Sequence, residues 1–155
     1  MHACQLVVCE PQPRWSRLLR PVACEVGIQL REVRGLEQIW PVVEEAPGSV
    51  VCLHVTGDNV ARYMAAVLWI KQNHPVAIVA LPVRACTPWA WRMYEFGVDQ
   101  VVHSPLDLRT TAKLIRRHTR RSFLLDDFDE ITEGSYRDQL WKRLPWNRHD
   151  TRGGG

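Results

Sequence analysis

Residues 95–108, EFGVDQVVHSPLDL, contain the end of one helix, a short strand and the start of another helix. Gly97 is suited to end a helix, because glycine readily adopts the left-handed conformation that follows the last helical turn. The short run DQVVH at residues 99–103 predicts a strand. Asp107 can cap the next helix, which we expect to end near residue 121. The stretch therefore predicts a β-strand between two helices.

The preceding residues alternate between the same two patterns. Short apolar runs predict four more strands, at residues 5–9, 28–33, 50–55 and 76–81. Apolar residues at helical spacing predict helices at 14–26, at 36–46, from 58 and from 87, with Pro21 and Pro41 interrupting the first two. Strands that alternate with helices imply a parallel sheet covered on both faces. We therefore predict an α/β, flavodoxin-like three-layer sandwich with strand order 2-1-3-4-5.

Composition excludes several classes of protein. The chain has 155 residues, of which 46% are hydrophobic and 24% charged, as in a single globular domain. Its net charge of +3 is too small to indicate nucleic-acid binding by itself. No apolar run approaches the ~20 residues of a membrane span, and no signal peptide is visible, so we expect a cytoplasmic protein. Five cysteines without CxxC spacing predict reduced thiols used in packing.

The composition changes after residue 121. The first 121 residues contain 15 basic and 10 acidic residues, whereas residues 122–155 contain 5 and 7. The latter part holds an acidic-apolar piece, LLDDFDEI, and an aromatic-basic piece, YRDQLWKRLPW. Apolar anchors separated by charges are typical of a segment that binds in a groove, and an added helix packed on its own domain is the alternative. We therefore predict a domain at 1–121 and an interaction tail at 122–155, with Phe128, Trp141 and Trp146 as its anchors.

The seven-residue step from Gly97 to Ser104, the following Pro105 and the capped helix start resemble one region of the receiver domain of bacterial response regulators. The run VVCEPQP at residues 7–13 is similar to the strand of that family that ends in two acidic residues. The resemblance covers about residues 4–121. It implies a fold in which an aspartate after the third strand accepts a phosphoryl group, assisted by Mg²⁺, a hydroxyl group and a lysine.

The chain departs from this pattern at most of the positions concerned. By the resemblance, His54 stands at the acceptor aspartate, Cys9 and Glu10 at the acidic pair, Ala80 at the hydroxyl and Ser104 at the lysine. Asp58 is no substitute acceptor, because it lies beyond Gly57 at a predicted helix cap. Phosphoryl transfer of this kind needs a carboxylate and groups that neutralise charge. We therefore predict a pseudo-receiver, a signalling or scaffolding module that is not an enzyme, needs no phosphorylation and binds no cofactor or metal.

An enzymatic alternative rests on the residues that end the first and third strands. These strands are neighbours in the predicted order, so Cys9, Glu10 and His54 should converge at the carboxyl edge of the sheet. A cysteine and a histidine beside a glutamate can form a nucleophile with its base, or ligands of a soft metal site. Ordinary packing of a strand-end cysteine beside a histidine is the competing interpretation.

Aromatic residues near the fourth helix predict a surface for protein partners. Trp89 and Trp91 lie two residues apart and cannot both face the core, and Met93 and Tyr94 extend the group. Exposed aromatic and methionine side chains favour partner contacts. The resemblance implies that this side of the domain dimerises, so we expect a homodimer. Trp69, in contrast, is expected in the core.

A basic cluster near the end of the last predicted helix admits three interpretations. Its members are Arg116, Arg117, Arg120 and Arg121. Cations at a helix C-terminus are favourable, so a solvated helix end is the simplest interpretation. The cluster could also pair with the acidic residues beyond it, within the chain or from another subunit. Nucleic-acid binding by a DNA-associated regulator is the third alternative, disfavoured by those same acidic residues.

Overall fold

The computed structural model describes the backbone of residues 4–129 and the side chains up to residue 124. The predicted anchors Trp141 and Trp146, and the side chain of Phe128, lie outside this range.

The described chain forms five parallel strands and five helices. The strands are β1 (Gln5–Cys9), β2 (Gln29–Val33), β3 (Val50–Val55), β4 (Ala77–Pro82) and β5 (Gln100–Val101). The helices are α1 (Trp15–Val26), α2 (Ile39–Glu45), α3 (Val60–Asn73), α4 (Ala90–Phe96) and α5 (Leu108–Asp129). The strand order is β2-β1-β3-β4-β5, with every pair parallel. The predicted fold class and strand order are confirmed.

Side chains alternate between two cores, one on each face of the sheet. Leu6 and Val8 of β1 pack on the face covered by α1 and α5. Val7 and Cys9, their neighbours in β1, pack on the face covered by α2, α3 and α4. Strand β4 is buried along its whole length, as expected for an interior strand of a sheet that helices cover on both faces.

The prolines disrupt the helices less than predicted. Pro21 does not split off the last turn of α1, which continues to Val26. Pro41 lies in the first turn of α2, where a missing N–H leaves no helical bond unmade. A turn of 3-10 helix at Leu36–Gln38 precedes α2 and accounts for the longer helix predicted at 36–46.

Helix α5 is longer than predicted. It continues past Arg121 to Asp129, and no glycine or proline occurs in its 22 residues. Leucines follow Arg121, and they favour the helix to continue. The division of the chain at residue 121 thus falls inside a helix, and the separate tail stays a prediction. None of the helices within 4–129 combines the length and the apolar character needed to cross a membrane.

Candidate functional site

Glu10 lies at the carboxyl edge of the sheet, directly after β1, and only 5% of it is exposed. Its two carboxylate oxygens accept hydrogen bonds from the backbone N–H groups of Trp15 and Ser16, both at 2.9 Å. These N–H groups open α1 and have no partner inside the helix. A negative charge there also interacts favourably with the helix dipole. Glu10 therefore caps α1 with both of its oxygens.

His54 lies near the end of β3 and shares a cleft with Glu10. The cleft has a volume of about 190 Å³ and is lined by Glu10, Pro11, Gln12, Arg14 and His54. The Nδ1 atom of His54 is buried and has no hydrogen-bond partner among the described residues. Burial lowers the pKa of His54 below its ordinary value, and the nearby Glu10 carboxylate opposes that shift. Its environment thus favours the neutral imidazole form of His54, the residue at the acceptor position implied by the resemblance.

Cys9 does not join this cleft, so the predicted convergence of Cys9 with His54 is wrong. Cys9 pairs with Leu53 across the sheet, and His54, one residue further, points to the opposite face. The Cys9 sulfur lies 3.6 Å from the hydroxyl oxygen of Tyr63 in the core beside α3. Burial raises the pKa of the Cys9 thiol, and it raises that of Tyr63 to about 12. Cys9 therefore lacks both the base and the exposure that a thiol nucleophile requires.

The two remaining positions named by the resemblance also lie away from the cleft. Ala80 is fully buried in the same core as Cys9. The Ser104 hydroxyl accepts a hydrogen bond from the N–H of Leu106 at 3.2 Å, and the Asp107 carboxylate accepts one from the N–H of Ser104 at 3.1 Å. This reciprocal pair is a capping box at the turn before α5. Of the predicted positions, Glu10 and His54 are the two that line the cleft.

No metal site forms from the described side chains. Within residues 4–124, no three histidine, cysteine, aspartate or glutamate side chains lie close enough together to hold an ion. Asp58 is exposed and lies beyond the end of β3. The nearby Asn59 side chain joins the backbone of Thr56 to that of His54 and so stabilises the loop.

The aromatic side chains near α4 divide between surface and core. Trp89, Trp91 and Tyr94 are each about half exposed, and the Arg92 guanidinium lies over the Trp91 ring at 5.0 Å from its centroid. Met93, in contrast, is buried in the core, so its predicted place on the partner surface is wrong. The reason is helical geometry, because Met93 lies on the face of α4 that packs against the sheet. We call Trp89, Trp91, Arg92 and Tyr94 the aromatic surface.

A second aromatic group was not predicted from the sequence. Trp69 was expected in the core but is exposed, and its ring contacts that of Trp40 edge-on at 5.0 Å between centroids. Both line a groove of about 370 Å³ between α2 and α3. Helix α3 carries apolar residues on more of its circumference than the sheet can cover, with Val67 buried and Leu68 and Trp69 outside. The wide apolar face of α3 is the feature of the sequence that indicates exposed apolar residues such as Trp69.

The basic residues of α5 occupy different environments. Arg116 forms an ion pair with Glu25 of α1. Arg117, Arg120 and Arg121 are exposed and form no ion pair with any side chain in residues 4–124. Within residues 4–124, the cluster is therefore only partly neutralised.

His118 makes the stability of the domain depend on pH. It is partly buried, its Nε2 atom has no hydrogen-bond partner among the described residues, and burial lowers its pKa below 6.5. The unfolded chain therefore binds a proton more readily than the folded one, so acidification below about pH 6.5 lowers the free energy of unfolding. We expect His118→Gln to make this decline shallower between about pH 7 and pH 5 in urea denaturation. The exposed His103→Gln is the matched control, and equal slopes in the two variants would contradict the assignment.

Several solved structures share this fold. No protein-family model and no curated protein matches the chain. A CheY-like protein (tadZ) from Pseudomonas aeruginosa superimposes with a TM-score of 0.58 at 13% identity, over 73% of this chain and 93% of that one. A putative response regulator from Chloroflexus aurantiacus gives 0.53 at 14% identity, over 74% and 98%. A putative pilus assembly protein (cpaE) from Burkholderia thailandensis gives 0.53 at 17% identity, over 76% and 98%. The chain therefore has the fold of a response-regulator receiver domain, as the resemblance predicted.

Proposed function

We propose that this chain is a signalling module of the receiver type that works in the cytoplasm without phosphorylation and acts by binding other proteins. The observation that carries the proposal is the position of Glu10. Its carboxylate is the one acidic group left at the metal-binding corner implied by the resemblance, and both of its oxygens are hydrogen-bonded to the start of α1.

Recruiting Glu10 to a metal ion would carry an energetic penalty. The N–H groups of Trp15 and Ser16 would lose their acceptors, and each buried N–H left without a partner costs about 1–3 kcal/mol. His54 offers no negative charge in exchange, because its burial favours the neutral imidazole. Mg²⁺ prefers carboxylate oxygens. The cleft therefore offers little to hold the ion on which phosphoryl transfer depends.

The aromatic surface supports the binding role. Trp91 is 56% exposed, and Trp89 and Tyr94 lie beside it on α4 and the turn before it. Tryptophan, tyrosine and arginine are the residues that dominate the binding energy of protein interfaces. We infer that a protein partner binds there and that the chain also associates with itself.

The alternatives have less support. An activity that uses Cys9 with His54 would have to act across the sheet, because the two side chains lie on opposite faces. A DNA-associated role would depend on the exposed arginines of α5. This role predicts an affinity for duplex DNA that falls steeply as the salt concentration rises. Absence of binding at low salt would exclude the role.

Phosphorylation is tested by incubating the protein with acetyl phosphate, or with beryllofluoride, in the presence of Mg²⁺. We expect no gain in mass and no shift of the NMR resonances around His54, because the acceptor and the metal site are both missing. A receiver domain with an intact acidic pair, treated in parallel, shows that the reagents are active. A stoichiometric gain of one phosphoryl group would overturn the proposal.

A further inference from the structure

A polar cavity lies at the amino edge of the sheet, opposite the edge that carries Glu10 and His54. Its volume is about 200 Å³, and it is lined by Ala77, Asp99, Leu114, Arg117, His118 and Arg121. Ala77 is the first residue of β4, and Asp99 directly precedes β5. Because the two edges of a parallel sheet are separated by the length of its strands, this cavity is distinct from the cleft beside His54.

Two arginines give the cavity a positive charge. Arg117 and Arg121 lie four residues apart and so share one face of α5, where two like charges repel each other. No aspartate or glutamate lies three or four residues from either of them in the sequence. Neither arginine forms an ion pair with a side chain of residues 4–124. An anion between the two guanidinium groups would therefore relieve an unfavourable interaction within the helix.

The carboxylate of Asp99 does not neutralise these arginines. The Lys71 ammonium donates hydrogen bonds to both of its oxygens, at 3.0 and 2.8 Å. The N–H of Ile78 donates a further hydrogen bond to one of these oxygens at 2.7 Å. Asp99 and Lys71 thus cancel each other's charge, and the charge that remains at the cavity is that of Arg117 and Arg121. A doubly charged anion would balance it.

His118 adds a polar atom that has no partner among the described residues. It lies between the two arginines in the sequence and lines the same cavity. Its Nε2 atom is shielded from solvent and makes no hydrogen bond to any residue that the structure describes. Buried polar atoms are almost always hydrogen-bonded in folded proteins, so an unpartnered one marks a place where a ligand can bind. Beside two guanidinium groups, an oxyanion is the ligand that fits.

We propose that this cavity binds a small ligand that carries a phosphate group, held by Arg117, Arg121 and the Nε2 atom of His118. Guanidinium groups donate paired hydrogen bonds that match the geometry of phosphate oxygens. A phosphate monoester carries nearly two negative charges at neutral pH, which the two arginines balance.

The size of the cavity limits the rest of the ligand. Pockets for drug-sized molecules measure about 300–1,000 Å³, and this cavity is smaller. The ligand is therefore inorganic phosphate or a small phosphate monoester. This inference goes beyond the binding of proteins proposed above, and it gives Arg117 and Arg121 a role other than the binding of DNA.

Titration of the full chain with inorganic phosphate, followed by NMR, tests the site. Sodium chloride keeps the ionic strength constant, so that general screening of charge does not contribute. We expect saturable shifts of the amide resonances of residues 114–121. The Nε2 resonance of His118 should shift with them, whereas that of the exposed His103 should not. Shifts that rise without saturation, or that spare His118, would overturn the proposal.

Arginine variants assign the binding to the cavity. Arg117→Gln and Arg121→Gln should each weaken phosphate binding at least about tenfold, because each removes charge-assisted hydrogen bonds. Arg120→Gln removes the same charge from the same helix but outside the lining of the cavity, so it should retain most of the affinity. Circular dichroism verifies that the three variants are folded. Equal losses in all three would contradict the proposal, because they would indicate attraction by net charge alone.

Two further compounds identify the source of the phosphate group. Glycerol 3-phosphate carries this group on a small alcohol, and glycerol lacks it. Tighter binding of glycerol 3-phosphate than of phosphate supports a monoester as the ligand, and the reverse supports the free ion. Binding of glycerol, or of neither phosphate compound, would overturn the inference. The acetyl phosphate test stays separate, because it reports on covalent mass and on resonances around His54, at the opposite edge of the sheet.

Discussion

We expect Glu10→Ala to lower the free energy of unfolding by about 3 kcal/mol. The carboxylate accepts two hydrogen bonds at 2.9 Å from the first N–H groups of α1, in a buried position. Alanine leaves both groups without an acceptor, and it also removes the negative charge from the positive end of the helix dipole. Urea denaturation at neutral pH measures the loss.

A matched carboxylate shows whether the loss comes from capping. Glu32 pairs with Arg20 at 2.7 Å, but both side chains are exposed. Surface ion pairs of this kind contribute about 0–1 kcal/mol, so Glu32→Ala should have little effect. Equal losses in the two variants would contradict the capping role. A rise in stability when Mg²⁺ is added to the wild type, absent in Glu10→Ala, would show that the ion binds there and would contradict the proposal that the cleft holds no metal.

The sheet could be predicted because its signals are local and repeat. Gly97 ends α4 with φ at 109°, a conformation that glycine tolerates best. The apolar run that forms β4 has no polar residue, and it lies inside the sheet, between β3 and β5. Rules for connecting parallel strands leave few arrangements for five alternating units, and the flavodoxin-like order was the one chosen among them.

The face of the sheet on which each side chain lies was harder to predict than the order of the strands. Cys9 and Glu10 are adjacent in the chain and both end near the carboxyl edge, but they point to opposite sides of the sheet. Deciding between the sides requires the pairing of Cys9 with Leu53, which is a property of two strands together. The convergence at the edge was therefore right for Glu10 and His54, and wrong for Cys9.

The helix ends show a different limit. Composition changes after residue 121 from basic to acidic, and that change suggested a boundary. A change in the sign of the side-chain charges does not by itself end a helix. Leucine favours the helix, and no glycine or proline interrupts it, so α5 continues to Asp129. The same continuity places Asp126, Asp127 and Asp129 on the helix that carries the arginines.

We expect Met93→Ala to lower the free energy of unfolding by about 3 kcal/mol. Met93 is 1% exposed, and it packs in the core that α2, α3 and α4 share with the sheet. Truncation removes buried apolar volume and leaves a cavity that the surrounding side chains fill only in part. Urea denaturation measures the effect.

Trp91→Ala, two residues away, is the informative comparison. Its ring is more than half exposed, and the Arg92 guanidinium lies over it, a contact that contributes about 0.5–1 kcal/mol at an exposed site. We therefore expect a loss of no more than about 1 kcal/mol. Trp91 is larger than Met93, yet we expect its removal to cost less stability. That pattern is expected when an exposed tryptophan serves to bind a partner. A loss as large as that of Met93→Ala would instead show that Trp91 supports the fold, and the aromatic surface would lose its claim to be a binding site.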